Sequence, residues 1–199
     1  MRKGIGIGCI VIGLLCLLTA VGFVVYNNYE AQSGETAAQM LLEDVQTHMD
    51  AAKQAENVPE IPDAAPQQML TVPVGQYDSV GILSIPVLEL ELPVLTDWSY
   101  EKLKVAPCHY FGSYYEKDFV IAAHNYQPLF GSLSELQPKD LILFTDISGT
   151  VRCYEVVLLE TLPANATKEM ITSGFDLSLY TCTPSGSGRV TVRCTAVGE

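Results

Sequence analysis

Basic residues are scarce in this chain and none are clustered: 11 Lys and Arg stand against 23 Asp and Glu, giving a formal net charge of −12. Neutralising a phosphate backbone takes grouped Lys and Arg, so no nucleic-acid partner is expected, and anionic headgroups would be repelled by the same surface. The six cysteines do not group either. There is no C-x-x-C pair, and no cysteine stands at zinc-ligand spacing from His48, His109 or His124. The acidic residues are scattered and form no calcium loop. No metal and no cofactor are therefore expected. Cys9 and Cys16 sit in an apolar block, where a cysteine behaves as a small hydrophobe. Cys108, Cys153, Cys182 and Cys194 are too widely and irregularly spaced for a dense disulfide framework, leaving room for one bridge among Cys108, Cys153 and Cys194. Internal repeats are lacking, which excludes solenoids and propellers. A length of 199 residues suits one domain plus an anchor and is short for two full domains.

What the chain does have begins with an uncharged run from Gly4 to Tyr26, preceded by Arg2 and Lys3 and followed by Glu30 and Glu35. About 20 apolar residues cross a hydrocarbon core, and the flanking charges put the N-terminus in the cytoplasm and the remainder outside. A cleaved signal peptide is the rival reading. Its apolar core should be shorter, and a small-x-small site should follow, where here Val25, Tyr26 and Asn27 stand. The reading is thus residues 1–3 as a cytoplasmic tail and residues 4–26 as an uncleaved transmembrane anchor.

Residues 27–72 are acidic and carry Lys53 as their one base. Ala37 to Glu56 can form a helix with Leu41, Val45, His48 or Met49, and Ala52 on one face. Pro59, Pro62 and Pro66 then break it. The segment reads as a solvated spacer, with His48 carrying no chemistry.

Residues 73–199 change character. Val80–Ile85, Leu88–Leu92, Asp118–Ala123, Leu141–Thr145, Val151–Thr161, Leu177–Cys182 and Arg189–Ala196 are short apolar or alternating runs separated by turn residues. That pattern indicates an all-β sandwich or barrel. Trp98–Val105, Leu133–Leu136 and Lys168–Ser173 read as short helices.

The last two runs flank Thr183–Gly188, a Pro-, Ser- and Gly-rich loop. If the hairpin closes symmetrically, Cys182 lies opposite Arg189, and Ser178 opposite Arg193. Opposed residues share a face, so a thiol and a guanidinium meet at the mouth of the hairpin. A nearby cation favours thiolate and can hold a developing oxyanion. The proton partner best placed for such a thiol is His124, where a strand gives way to a loop. Order and context argue against a papain-like enzyme, since there the cysteine comes first and opens a helix. Cys108 with His109 is a poor second dyad, because neighbouring strand residues point to opposite faces. On the bland side, a strand cysteine is usually core, and Arg189 with Arg193 can be a solvated face.

These segments resemble the sortase family of cysteine transpeptidases. Ser178-Leu179-Tyr180-Thr181-Cys182 is similar to the family's T-L-x-T-C segment, and Arg189-Val-Thr-Val-Arg193 to the Arg-led strand after it. Ile121-Ala122-Ala123-His124-Asn125 resembles the strand that ends in its histidine. Ile82-Leu83-Ser84-Ile85-Pro86 with Leu92-Pro93-Val94 resembles its opening strands. Ser178 replaces the usual Thr and Ala123 a common Gly, and neither change removes a reactive group. The likeness runs from about Asp78 to the C-terminus.

The resemblance implies a closed or nearly closed eight-stranded β-barrel and a two-step acyl transfer. Cys182 would be the nucleophile, His124 the general acid/base, and Arg189, preferred over Arg193, the oxyanion and substrate donor. Thr181 would support the thiol with a hydroxyl and a backbone donor. The implied substrates are surface proteins or pilins with an L-P-x-T-G-like sorting signal, and the implied acceptor is an amine on a peptidoglycan precursor or pilin. A thiolate–imidazolium pair is expected as a minority state at neutral pH, because a free thiol titrates near about 8.5 and imidazole near about 6.5. The lack of a second anchor near Glu199 leads away from pilin-polymerising members. An L,D-transpeptidase is disfavoured because its S-x-G-C motif is absent. The non-enzymatic alternative is a catalytically silent, membrane-tethered β-domain that binds a wall or pilus component.

Overall fold

The computed structural model describes residues 2–54 and 68–198. Pro59, Pro62 and Pro66 lie outside them, as do the side chains of Cys9 and Ala52. The first element is a single helix, α1 (Arg2–Gln54), followed by β1 (Val72–Val74), β2 (Tyr77–Ile85), β3 (Leu90–Leu95), α2 (Tyr100–Leu103), β4 (Cys108–Phe111) and β5 (Phe119–Ala122). The chain closes with β6 (Leu141–Asp146), β7 (Val151–Pro163), α3 (Thr167–Ile171), β8 (Leu177–Cys182) and β9 (Gly188–Ala196).

The strands run in the order β1-β2-β3-β4-β5-β8-β9-β7-β6, and β6 returns to pair with β2. Strands β2 to β9 therefore form the closed eight-stranded barrel that the resemblance implies, with β1 as an appended edge. Closure depends on Gly81, where β2 pairs with β3 on one side and β6 on the other. It has φ +153°, and a Cβ there would sit 2.3 Å from the Thr145 carbonyl oxygen. The register shift between Ser79 and Gly81 marks a bulge at this point, which re-aims the strand at the seam.

Alternation along the strands fills the interior. Leu83, Ile85, Val94, Phe119, Ile121, Phe144, Leu177, Leu179 and Val192 point inward and are buried. Leu129, Phe130 and Leu133, from the segment after β5, plug one end of the same core.

A second cluster lies outside the barrel wall, where Leu41, Val45 and Met49 of α1 cover Val74, Ile82, Leu95 and Cys108. The predicted helical face is thus present, and the segment expected to be a solvated spacer is packed on the domain as far as the helix is described. Each buried aliphatic or thioether side chain there contributes about 1.5–3 kcal/mol, which is why an acidic helix stays docked on an acidic domain. Asp44 adds a hydrogen bond by accepting from the Gly75 backbone N–H at 2.9 Å. The N-terminal part of α1 differs: Ile10 to Val25 leave their large apolar side chains more than half exposed, and the helix is long and apolar enough to cross a membrane.

Candidate functional site

Strand β5 and strand β8 are parallel neighbours, with Ala122 level with Tyr180. Two residues further along each strand lie His124 and Cys182, so both emerge at the same C-terminal barrel edge. The join is reinforced beyond the last rung. The Ala123 N–H donates to the Tyr180 carbonyl at 3.3 Å, and the Thr181 hydroxyl donates to the Ala123 carbonyl at 2.9 Å.

The β8–β9 hairpin has the symmetric register expected from the sequence: Cys182 opposes Arg189, and Ser178 opposes Arg193. Its turn is held by Thr183, whose N–H donates to the Gly188 carbonyl while its hydroxyl accepts from the Gly188 N–H. Cys182 is exposed and Arg189 half-buried. The Arg189 guanidinium leans back on the turn, donating from Nη1 to the carbonyls of Gly188 at 3.0 Å and Gly186 at 3.4 Å.

Arg193 has a different setting. Only 2 % exposed, it donates from Nε to Glu160 at 2.9 Å, from Nη1 to Ser178 at 2.9 Å and from Nη2 to the Glu169 carbonyl at 2.8 Å. It ties β7, β8 and the α3 segment together, and each of its three guanidinium nitrogens donates a hydrogen bond within the fold. Thr181 turns inward by strand alternation. Its hydroxyl is committed to Ala123, so it braces the site from behind instead of offering a donor to a ligand.

His124 is held through its backbone on both sides: its N–H donates to the Leu103 carbonyl at 3.0 Å, and its carbonyl accepts from the Phe130 N–H at 3.2 Å. Among the described residues, no group hydrogen-bonds its buried Nδ1. The ring instead lies against Tyr126, with centroids 3.9 Å apart and planes inclined by 31°. Burial holds the imidazole below its ordinary pKa; the Lys104 ammonium pushes the same way, and Glu30 opposes both. Burial and the Lys104 ammonium therefore favour the neutral ring.

Cys182, His124 and Arg189 line one cleft of about 290 Å³, together with Ala122 and Tyr180. The α3 segment, through Ala166, Thr167 and Met170, forms one wall. The other is aromatic: Tyr180 meets Tyr110 edge-on at 5.3 Å, and Tyr110 meets Trp98 at 5.3 Å. Sequence reasoning missed this aromatic wall and Tyr126. The one available signal was that Tyr126 lies two residues past His124 in a turn-rich loop.

The remaining thiols lack the exposure of Cys182 within the barrel. Burial pushes Cys108 and Cys194 up to about 12. Cys108 donates to the Ala106 carbonyl, while both ring nitrogens of His109 face backbone carbonyls, of Thr96 and Gly112. These two residues form no dyad. Among the described residues the cysteines are free, and no cluster of His, Cys, Asp and Glu has the makings of a metal site.

A family model described as the sortase domain matches residues 83–197. Among solved structures, the chain is similar to sortase C1 from Streptococcus suis, at 25 % identity and TM-score 0.53, over 61 % of this chain and 74 % of that one. A lid mutant of sortase A from Corynebacterium diphtheriae is similar at 22 % identity and TM-score 0.55, over 78 % and 94 %. Sortase C from Clostridium perfringens, solved with the C-terminal cell wall sorting motif, is similar at 18 % identity and TM-score 0.55, over 81 % and 89 %. A search of the curated proteins finds no match.

Proposed function

The chain belongs to the sortase family, and from that premise we propose that it is a cell-surface cysteine transpeptidase acting on an L-P-x-T-G-like sorting signal. One observation carries the reading: an exposed thiol, an imidazole and a guanidinium come from three different strands or their ends to line a single cleft.

In this reading the Cys182 thiolate attacks the scissile carbonyl. The C–S bond forms as the carbonyl π pair moves onto oxygen. Arg189 exchanges its turn carbonyls for that oxyanion, since charge-assisted donors are the stronger ones. Collapse of the tetrahedral species expels the amine, which takes a proton from the His124 imidazolium, leaving a thioacyl-enzyme and a neutral imidazole. The acceptor amine then gives its proton to His124 as it attacks, and the thiolate leaves. Substrates are surface proteins or pilins bearing the signal, and the acceptor is a peptidoglycan-precursor or pilin amine. The aromatic wall of Trp98, Tyr110 and Tyr180 offers the apolar side of the signal its contact surface.

Residues 4–26 anchor the protein in the cell membrane as a single span, with residues 1–3 in the cytoplasm and the domain of residues 73–199 outside. The intervening 27–72 hold α1's docked half.

A transfer assay on the full chain tests the proposal. A library of L-P-x-T-G-like peptides is supplied with an amine acceptor, and products are read by mass spectrometry against Cys182→Ala. A transfer product lost in that variant is expected. A folded protein that forms neither product nor acyl-enzyme with any peptide favours the silent, binding-only alternative.

A further inference from the structure

Catalytic imidazoles are commonly oriented by a hydrogen bond to the nitrogen that does not face the nucleophile. Among the described residues, the buried Nδ1 of His124 has no hydrogen-bond partner. The imidazole instead lies against the Tyr126 ring, with centroids 3.9 Å apart. Tyr126 is held in turn: its hydroxyl donates to Glu30 of α1 at 2.8 Å, across 96 residues of sequence. Glu30 also accepts from Lys104 at 3.4 Å and from Tyr26 at 3.2 Å. Its carboxyl lies below its ordinary pKa. The Tyr126 hydroxyl is the main cause, burial works in the opposite direction, and Lys104 and Tyr26 add to the lowering.

The seat of α1 beside this contact is close. Gly34, one turn beyond Glu30, is buried, and a Cβ there would lie 2.5 Å from the Lys104 carbonyl oxygen. Lys104 directly follows Leu103, whose carbonyl holds the His124 backbone. The helix thus reaches the imidazole by two short routes, one through Tyr126 and one through the Leu103–Lys104 segment.

We propose that Glu30 of α1 is a positioning residue for acyl transfer: by holding the Tyr126 hydroxyl it fixes the ring stacked on His124, and so ties the imidazole's orientation to the seating of the anchor helix. This rests on the reading of His124 as the acid/base. The charged and titratable groups around the imidazole are Glu30 from α1, Lys104 after α2, Tyr126 on its own loop, and Cys182 and Arg189 across the cleft from β8 and β9. Of these, Glu30 favours the imidazolium and Lys104 disfavours it. Losing the Glu30 charge therefore lowers the His124 pKa and leaves less imidazolium to protonate the leaving amine.

The test uses the full chain in detergent micelles. Glu30→Gln is nearly isosteric at a partly exposed helix position, Tyr126→Phe keeps the stacked ring while removing the hydroxyl, and the double variant joins them. Imidazole titration is followed by NMR on ¹³Cε1-labelled histidine, with His48 and His109 as internal references and His124 identified by its loss in His124→Gln. Peptide-transfer kinetics are measured on the same preparations. The expected result is a lower His124 titration midpoint in Glu30→Gln. The kcat should fall on the order of tenfold at near-constant KM, well short of the roughly 10²–10⁴ that general acid–base catalysis supplies. The double variant should be no worse than either single one. An unmoved His124 midpoint, or additive losses in the double variant, overturns the tether alone. Transfer indifferent to His124→Gln overturns the acid/base reading and, with it, Glu30's role.

Discussion

The Thr181 hydroxyl donates to the Ala123 carbonyl at 2.9 Å, joining the two parallel strands one residue before Cys182 and His124. Thr181→Val keeps the shape and leaves that carbonyl unpaired in a buried place. We expect a loss of about 1–3 kcal/mol in stability, with a fall in kcat larger than any rise in KM, because the thiol and imidazole lose their common brace. Thr181→Ser, which restores the donor, should recover most of both. Urea unfolding and steady-state transfer kinetics check the pair of effects.

Thiol reactivity should sort by burial. Cys108 and Cys194 are fully buried and held near about 12, whereas Cys182 is exposed in the cleft. Brief iodoacetamide treatment of the native protein should label Cys182 and spare Cys108 and Cys194, which become reactive only in denaturant. Peptide mapping by mass spectrometry reads the ratio directly.

The two arginines of β9 should fail in opposite ways. Arg189 touches the turn carbonyls and the cleft, so Arg189→Ala should leave stability within about 0.5 kcal/mol while cutting kcat/KM by roughly 10²–10³. Arg193 is buried on Glu160, Ser178 and the α3 segment. Arg193→Met should cost about 2–3 kcal/mol, moderated because Glu160 is 32 % exposed, and should reduce activity chiefly by loosening the α3 wall. Thermal melts beside kinetics separate the two.

The depressed imidazole makes stability and rate depend on pH in a defined sense. Because the folded pKa of His124 lies below its unfolded value of about 6.5, the fold binds fewer protons than the unfolded chain there. Its contribution to stability is present above that value and is lost as pH falls through the folded pKa. The drop in urea midpoint between about pH 8 and pH 5 should therefore be smaller in His124→Gln than in the natural chain. In wild type the acidic limb of the transfer rate should lie below the ordinary imidazole range.

Seven of the eight barrel strands were legible as alternating or apolar runs because each has a face in the core and a turn at its end. The register of β8 on β9 followed from one loop, and with it the opposition of Cys182 and Arg189. The start of β3 was misplaced. Pro86–Leu88 form a 3₁₀ turn and Glu89 takes φ 53°, so pairing begins at Leu90, and the alternation from Leu88 belongs partly to the turn. Strand β4 escaped notice because it is four residues long and meets β3 through a single parallel rung. The continuity of α1 past Tyr26 was hidden by Asn27, Asn28 and Gly34, weak helix formers whose cost is offset by packing on the barrel. The contact of Glu30 with Tyr126 joins positions 96 residues apart, which no local spacing rule can reveal.

The helix that enters the barrel's flank at Leu41, Val45 and Met49 is the same one that leaves the apolar span, and it is unbroken between. With residues 4–26 in the bilayer, Glu30 stands about 6 Å beyond Tyr26 at roughly 1.5 Å per residue. The domain is then a turret bolted to its mast and not a float on a line. On that proposed placement the unbroken helix would hold the cleft at a set height over the lipid. Under the proposed function, reach would then be a filter in its own right: a polypeptide whose signal is delivered far from the bilayer would be passed over, however well its side chains fit.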